Sequence, residues 1–316
     1  MFQKLVKRLI KVTGFILAGI FILLSLRYFH AGNFLESSRI FFLDNPLIII
    51  MVTVGYLFSF ILRAEAWRLY LGKNVRFFNC LQGVLLSLFV NHITPIKVGD
   101  AVRIGVLSWK EKNIRPDISA HSVVVLRSLD MLILLIFSLI GLVAFSKAFI
   151  LRLSLGVLII LVLSIFIGIF IVYRYCPLFV ERHILLLRTS LKGWNGVYIF
   201  ILILLSWSLE GAVLWGVTAS LGNGLPIYKA IWVNSITVGG QVFQITPGGI
   251  STYESVMTAA LTSFGYPAKD GYMVALISHS YKFIFSYFVG FLLLIYSPGI
   301  NIKQLKAFLR MRGRQK

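Results

Sequence analysis

The sequence predicts an all-α polytopic membrane protein. About six full transmembrane helices are joined by two re-entrant hairpins of broken helix, and the whole forms an inverted repeat. Three observations predict this. The 316 residues are 58% hydrophobic and only 13% charged, whereas a soluble domain is nearer a quarter charged. Eight apolar segments are separated by short polar ones. Two of those segments break in the same way: Ile93-Thr94-Pro95 and Ile245-Thr246-Pro247 are each followed by glycine and then an acid, Asp100 or Glu254.

The elements follow in order. Residues 1–11 are basic (Lys4, Lys7, Arg8, Lys11) and 12–26 are apolar. Arg27-Tyr28-Phe29-His30 comes next and offers no small-residue cleavage site, so an uncleaved first membrane helix is expected over 10–29. Apolar runs follow at 46–62, 78–93, 121–145, 152–173, 199–221, 230–246 and 271–297. Most approach the ~20 residues that a span needs. Eight simple crossings would put the basic loop 109–118 outside, against the cytoplasmic bias of Lys and Arg. The conflict disappears if 78–108 enters, breaks at Pro95 and returns to the cytoplasm. The segment 230–264 then enters from outside, breaks at Pro247 and returns outside. Most of the 31 lysines and arginines then face the cytoplasm, with both termini. Eight kinked spans are the competing reading, because hydropathy does not see a hairpin.

The two breaks have a physical cause. Proline lacks a backbone donor and blocks the carbonyl four residues earlier. Gly248 with Gly249 permits positive φ and close backbone approach. A helix arriving from Ala230 should break near Pro247, and a new one should start at Ser251 or Thr252. Either hydroxyl serves as N-cap, and Glu254 falls in the first turn, where its charge suits the helix dipole.

The chain reads as one integral membrane domain, 1–316, with halves of about 1–148 and 149–300 and a basic cytoplasmic tail over 301–316. Each half runs helix, helix, hairpin, helix and crosses three times, so the halves have opposite orientation. That is the architecture of alternating-access transporters, with the site where the hairpin tips meet. The net charge of +20 fits basic loops that set orientation and touch anionic lipid headgroups. Nucleic-acid binding is not expected, since no soluble domain is left for it. There is no G-x-x-x-x-G-K-[ST], C-x-x-C, H-E-x-x-H or G-x-S-x-G motif, so neither a cofactor, a metal nor a catalytic residue is expected. Cys80 and Cys176 read as free thiols.

Charges at membrane depth need a partner or a job. Arg127 and Asp130, three apart, either neutralise each other or serve transport. Glu210 has no local cation and needs one from another helix; His279 or Lys282 is the expected source. Asp100 and Arg103 either pair with each other, or Arg103 meets an anionic headgroup in a fork geometry that lysine lacks. Glu254 either caps its helix or meets substrate. Asn91, Gln241 and Gln244 precede the breaks and either line the site or satisfy freed backbone groups. Arg63, Glu65, Trp67 and Arg68 lie at the inner end of the second helix, and the arginines and the tryptophan read as anchors at the membrane interface. The substrate-binding set expected is therefore Asn91, Arg103, Asp130, Glu210, Gln244, Glu254 and Lys282, with Pro95, Gly99, Pro247, Gly248 and Gly249 as helix breaks.

With those residues quoted, the chain resembles the lysylphosphatidylglycerol synthase transmembrane-region family, the flippase-like relatives of the N-terminal part of the multiple peptide resistance factor. The resemblance rests on Asn91, Pro95, Gly99, Asp100 and Arg103; on Arg127 with Asp130; on Glu210; and on Pro247, Gly248, Gly249 and Glu254. Asp100 stands where the family usually has Glu, Leu126 where it often has Glu, Ser251 where it usually has Gly, and Ala66-Trp67 where Arg-Trp is common. The resemblance implies a lipid flippase of the inner membrane, moving lysyl-phosphatidylglycerol or another polar-headed or lipid-linked molecule between leaflets. In full-length relatives a separate C-terminal domain makes the aminoacyl lipid. That domain is not expected here, and so neither is enzyme activity. The alternatives are a membrane subunit partnering a lipid synthase or glycosyltransferase, and a small-solute transporter.

Overall fold

The structure, a computed structural model, describes residues 19, 22, 23, 25–72, 74–94, 97–145, 174, 181, 184, 185, 188, 191–222, 224–241 and 246–296. All regular elements among them are helical. Helix α1 (Ala31–Arg39) runs into a π-helical turn (Ile40–Asp44) and then α2 (Pro46–Leu71). Next come α3 (Phe77–Ile93), α4 (Gly99–Lys110) and α5 (Pro116–Ala144). The second half holds α6 (Trp194–Ser220), α7 (Ile227–Gly240), a 3₁₀ turn (Pro247–Gly249), α8 (Thr252–Thr262) and α9 (Ala268–Tyr296). Proline opens both α2 and α5, where its missing N–H costs no helical bond. Helices α2, α5, α6 and α9 are each long and apolar enough to cross a membrane, and α3 is a shorter apolar helix. The expected span at 152–173 lies outside the described residues, as do Cys176, the tail 301–316 and most of the expected span at 10–29.

Both breaks produce hairpins. In the first, α3 and α4 run antiparallel. Glu111, just past α4, accepts from Asn79 Nδ2 at 2.6 Å and from the Arg76 N–H at 3.1 Å. At the other end Asn91 Oδ1 accepts the Gly99 N–H at 2.8 Å. In the second, Trp232 of α7 packs on Phe264 beyond α8, with ring centroids 5.4 Å apart. At the tip the Gln241 amide donates to the Gly248 carbonyl at 3.2 Å. Gly248 and Gly249 have φ of 64° and 79°, which β-carbons disfavour. A β-carbon at Gly248 would also collide with the Phe283 ring. Pro95 lies outside the described residues. Helix α7 stops at Gly240, earlier than the expected break near Pro247. The pair Gly239-Gly240, poor in helix propensity, precedes the stop.

The packing repeats when the two halves are exchanged. Helices α2 and α6 pack along their length and are antiparallel: Asn195 Nδ2 reaches the Leu69 carbonyl at one end (3.3 Å) and Gly216 abuts Val52 at the other. Helix α3 packs on α9, and its counterpart α7 packs on α5. Phe89 meets Gly290 in the first contact and Trp232 meets Gly141 in the second. The outward faces carry exposed large apolar side chains, such as Leu47, Ile50 and Val54 on α2 and Phe288, Phe291 and Ile295 on α9. That pattern fits a hydrocarbon surround.

One expectation needs correction. The apolar run ends at residue 62, and α2 carries Arg63, Glu65, Trp67 and Arg68 in its last turns, continues to Leu71 and stops at Gly72, whose φ is 105°. Ala64, Ala66 and Leu69 are strong helix formers. Arg63 and Trp67 are therefore inside the bundle and buried, not interface anchors.

Candidate functional site

The hairpin tips meet. The 3₁₀ turn of the second hairpin packs against α3 of the first, and His92 of α3 lies edge-on to Phe283 at 4.8 Å. Between the tips, α2, α6 and α9 lies a cavity of about 800 Å³, including the space at its mouth. Asn91, Lys97, Gln241 and Gly248 reach it from the breaks, and Arg63, Glu210 and Lys282 from the long helices.

Its charges form two groups. At the α2–α6 contact, Arg63 Nη1 donates to Glu210 Oε1 at 2.9 Å. The Arg63 guanidinium lies over the Trp207 ring at 4.0 Å. On the other carboxylate oxygen, Lys282 Nζ stands at 4.0 Å and donates to Asn234 Oδ1 at 2.9 Å. Glu210 thus has a cation from another helix, as expected, but the nearer one is Arg63. The run of good helix formers around Arg63 signals that α2 continues past it, but not which acid it meets. His279, the other expected partner, is engaged elsewhere.

The second group lies by α4 and α5. Arg127 Nε donates to Asp100 Oδ1 at 2.8 Å, and its Nη1 lies 3.4 Å from Asp130 Oδ2. Asp130 Oδ1 accepts from Trp207 Nε1 at 3.0 Å. So the local Arg127–Asp130 pair exists but is the looser half of a bridge. Asp100 pairs with Arg127 and not with Arg103. Arg103, 4% exposed, stacks over the Trp67 ring at 4.1 Å. Among the described residues it has no carboxylate partner, and its Nε has no acceptor.

Of the expected binding residues, Asn91, Arg103, Glu210 and Lys282 line the cavity. Asp130 stands behind it, holding Arg127 and Trp207, which do line it. Glu254 also stands behind. Its Oε2 accepts the Ser251 N–H at 2.6 Å, in a capping box that starts α8. Its Oε1 lies 2.6 Å from His279 Nδ1, and His279 Nε2 lies 3.1 Å from the Gly248 carbonyl. His279 stacks on Tyr253 with centroids 4.1 Å apart. Glu254 and His279 thereby clamp the second tip to α9. Both also face an apolar groove beside α1 and α9, lined by Phe34, Phe42 and Ile284 among others. Gln244 lies outside the described residues. Among the described residues no group of three His, Cys, Asp or Glu side chains gathers to hold a metal ion.

Sequence comparison places this architecture among known proteins. A UPF0104 membrane protein of Methanocaldococcus jannaschii is 26% identical over 298 residues, covering 83% of this chain and 88% of its own length. No solved structure matches the chain. The family model for the lysylphosphatidylglycerol synthase TM region matches residues 11–290, nearly the whole helical bundle, and the chain belongs to that family.

Proposed function

We propose that the chain moves a polar-headed membrane lipid between leaflets, with the headgroup passing through the cavity and the tails remaining in hydrocarbon. The observation that carries this reading is the meeting of two hairpin tips around buried charge. The cavity takes Arg63, Glu210 and Lys282 from three long helices and Lys97 and Arg103 from beside the first break. Charges at such depth are costly unless they serve a passing polar group, and broken helices meeting at a midplane site are the usual construction of transporters. The groove beside α1 and α9 shares His279 with the cavity wall, so a headgroup and its chain would occupy neighbouring spaces. Family membership supports a polar-headed or lipid-linked membrane molecule over a free solute. The matched family model describes a membrane region, which is compatible with translocation.

The test is lipid translocation in proteoliposomes. Headgroup-labelled phosphatidylglycerol, lysyl-phosphatidylglycerol and a polyprenyl-phosphate lipid are supplied to wild type, Arg103→Ala and Glu254→Gln. Faster crossing of one lipid is expected, about tenfold slower in each variant. No acceleration of any lipid by a folded protein would remove the reading and favour a subunit partnering a lipid-modifying enzyme.

A further inference from the structure

The translocation reading leaves the headgroup open, and the cavity's charge narrows it. The acids near it are already engaged. Glu210 is the one carboxylate among the described residues lining the cavity, and Arg63 and Lys282 hold its two oxygens. Asp100 and Asp130 both turn to Arg127. Lys97 and Arg103 remain on the wall without a carboxylate partner among the described residues. Glu254, behind the wall, is taken by the Ser251 N–H and His279. Four engaged acids therefore stand by five lysines and arginines: Arg63, Lys97, Arg103, Arg127 and Lys282.

The unmet hydrogen-bonding groups have the same polarity. Arg103 Nε has no acceptor, and neither do Arg63 Nε and Nη2. The hydroxyls of Ser87 and Tyr253, also on the wall, are buried without a partner. A buried guanidinium without an acceptor is costly, so its persistence needs a reason. A hydroxyl serves as donor or acceptor, but a guanidinium only donates. Trp67 fixes the Arg103 plane, and its own Nε1 is held by Ser122 Oγ at 2.8 Å. The fork is therefore set before a ligand arrives, in the geometry that suits the oxygens of a phosphate.

We propose that Arg103, with the Tyr253 and Ser87 hydroxyls, forms a subsite for the phosphate of a headgroup with net negative charge, and that the cavity disfavours headgroups bearing free ammonium groups. An aminoacylated headgroup would bring ammonium groups to a wall already rich in cations and without an open carboxylate. This inference rests on the lipid-translocation reading for its lipid, but its test does not measure translocation.

The test is binding to full-length protein in neutral detergent, read from tryptophan emission, since Trp67 and Trp207 lie under the two guanidinium groups. The probes are short-chain phosphatidic acid, phosphatidylglycerol, lysyl-phosphatidylglycerol and phosphatidylcholine, with inorganic phosphate in a separate arm. Saturable binding of phosphatidic acid is expected, about tenfold or more tighter than lysyl-phosphatidylglycerol, and weakened by salt. Arg103→Lys keeps the charge but loses the fork. It should weaken phosphatidic acid about tenfold, the effect of one charge-assisted hydrogen bond. Tyr253→Phe keeps the ring on His279 and should weaken it several-fold, which guards against misfolding of the arginine variant. Arg39→Gln, on an exposed side chain, should bind as wild type. Inorganic phosphate competing as tightly as the lipid supports the subsite and assigns it to free phosphate. Equal or tighter binding of lysyl-phosphatidylglycerol, or unchanged binding in both site variants, overturns the proposal. Selective anion binding without translocation would defeat the translocation reading alone, and translocation without anion selectivity would defeat this inference alone.

Discussion

Arg63 and Glu210 meet at 2.9 Å, each nearly excluded from solvent, and Lys282 completes the group from α9. A buried pair of this kind adds little net stability, but breaking one side strands the other charge. Glu210→Gln should lower unfolding stability by about 3–5 kcal/mol, because Arg63 and Lys282 are left facing each other. Replacing all three (Arg63→Met, Glu210→Met, Lys282→Met) should recover most of that loss while abolishing any transport. The check is thermal unfolding in detergent beside a translocation assay. Recovery of stability together with activity would mean that the charges are structural only. At this scale the sequence was half legible. A lone acid inside an apolar run announces a missing partner, so the need of Glu210 for a cation could be read. Which cation could not, because partner choice depends on how α2 crosses α6, and no local pattern encodes that. Arg103 was legible as unpaired with its neighbour only once Arg127 was seen to take Asp100.

At the scale of elements, the breaks were the clearest signal in the chain, since proline and paired glycine act on the backbone directly. The start of α8 at Thr252 follows from them. What the sequence does not convey is the backbone of its N-cap: Ser251 has φ 82°, a conformation that L side chains rarely adopt. Two effects oppose each other there. The side chain costs strain, while its oxygen and the reciprocal Glu254 bond cap the helix. Ser251→Gly removes the strain and gives up the cap at a cost of a few tenths of a kcal/mol, so stability should change by less than about 1 kcal/mol. Ser251→Ala keeps the strain and loses the cap, for an expected loss of about 1–2 kcal/mol. Thermal unfolding of the two variants separates them. Equal losses would show that the cap, and not the φ angle, dominates. The stop of α7 at Gly240, before the expected break near Pro247, has a simple reason: hydropathy marks where apolar side chains end, whereas helices end where the backbone lets them.

At the scale of the whole molecule, the two halves answer each other in chemistry as well as in packing. Each hairpin is followed by a long helix carrying two polar groups three residues apart, Arg127 with Asp130 on α5 and His279 with Lys282 on α9. In both, the first holds an acid near the start of the hairpin's second limb, Asp100 or Glu254, and the second reaches α6, at Trp207 or Glu210. The bundle also has two distinct ends. Leu69 and Asn195 meet at one, with Arg76 and Glu111. Phe145, Tyr228 and Phe264 meet at the other. Lys112, in the turn after α4, and Lys269, in the first turn of α9, are exposed at these opposite ends. If the basic loops face the cytoplasm, single cysteines at the two positions should differ in whole cells. In a background with Cys80→Ala and Cys176→Ala, an impermeant thiol reagent should label position 269 in intact cells and position 112 only after permeabilisation. Cys80 is buried, so its replacement needs a check that the protein still reaches the membrane. Labelling of 112 alone in intact cells would invert the orientation and leave the hairpins standing. Labelling of both would put α4 and α8 through the membrane to the same face, and would remove the pair of opposed hairpins on which the translocation pathway depends.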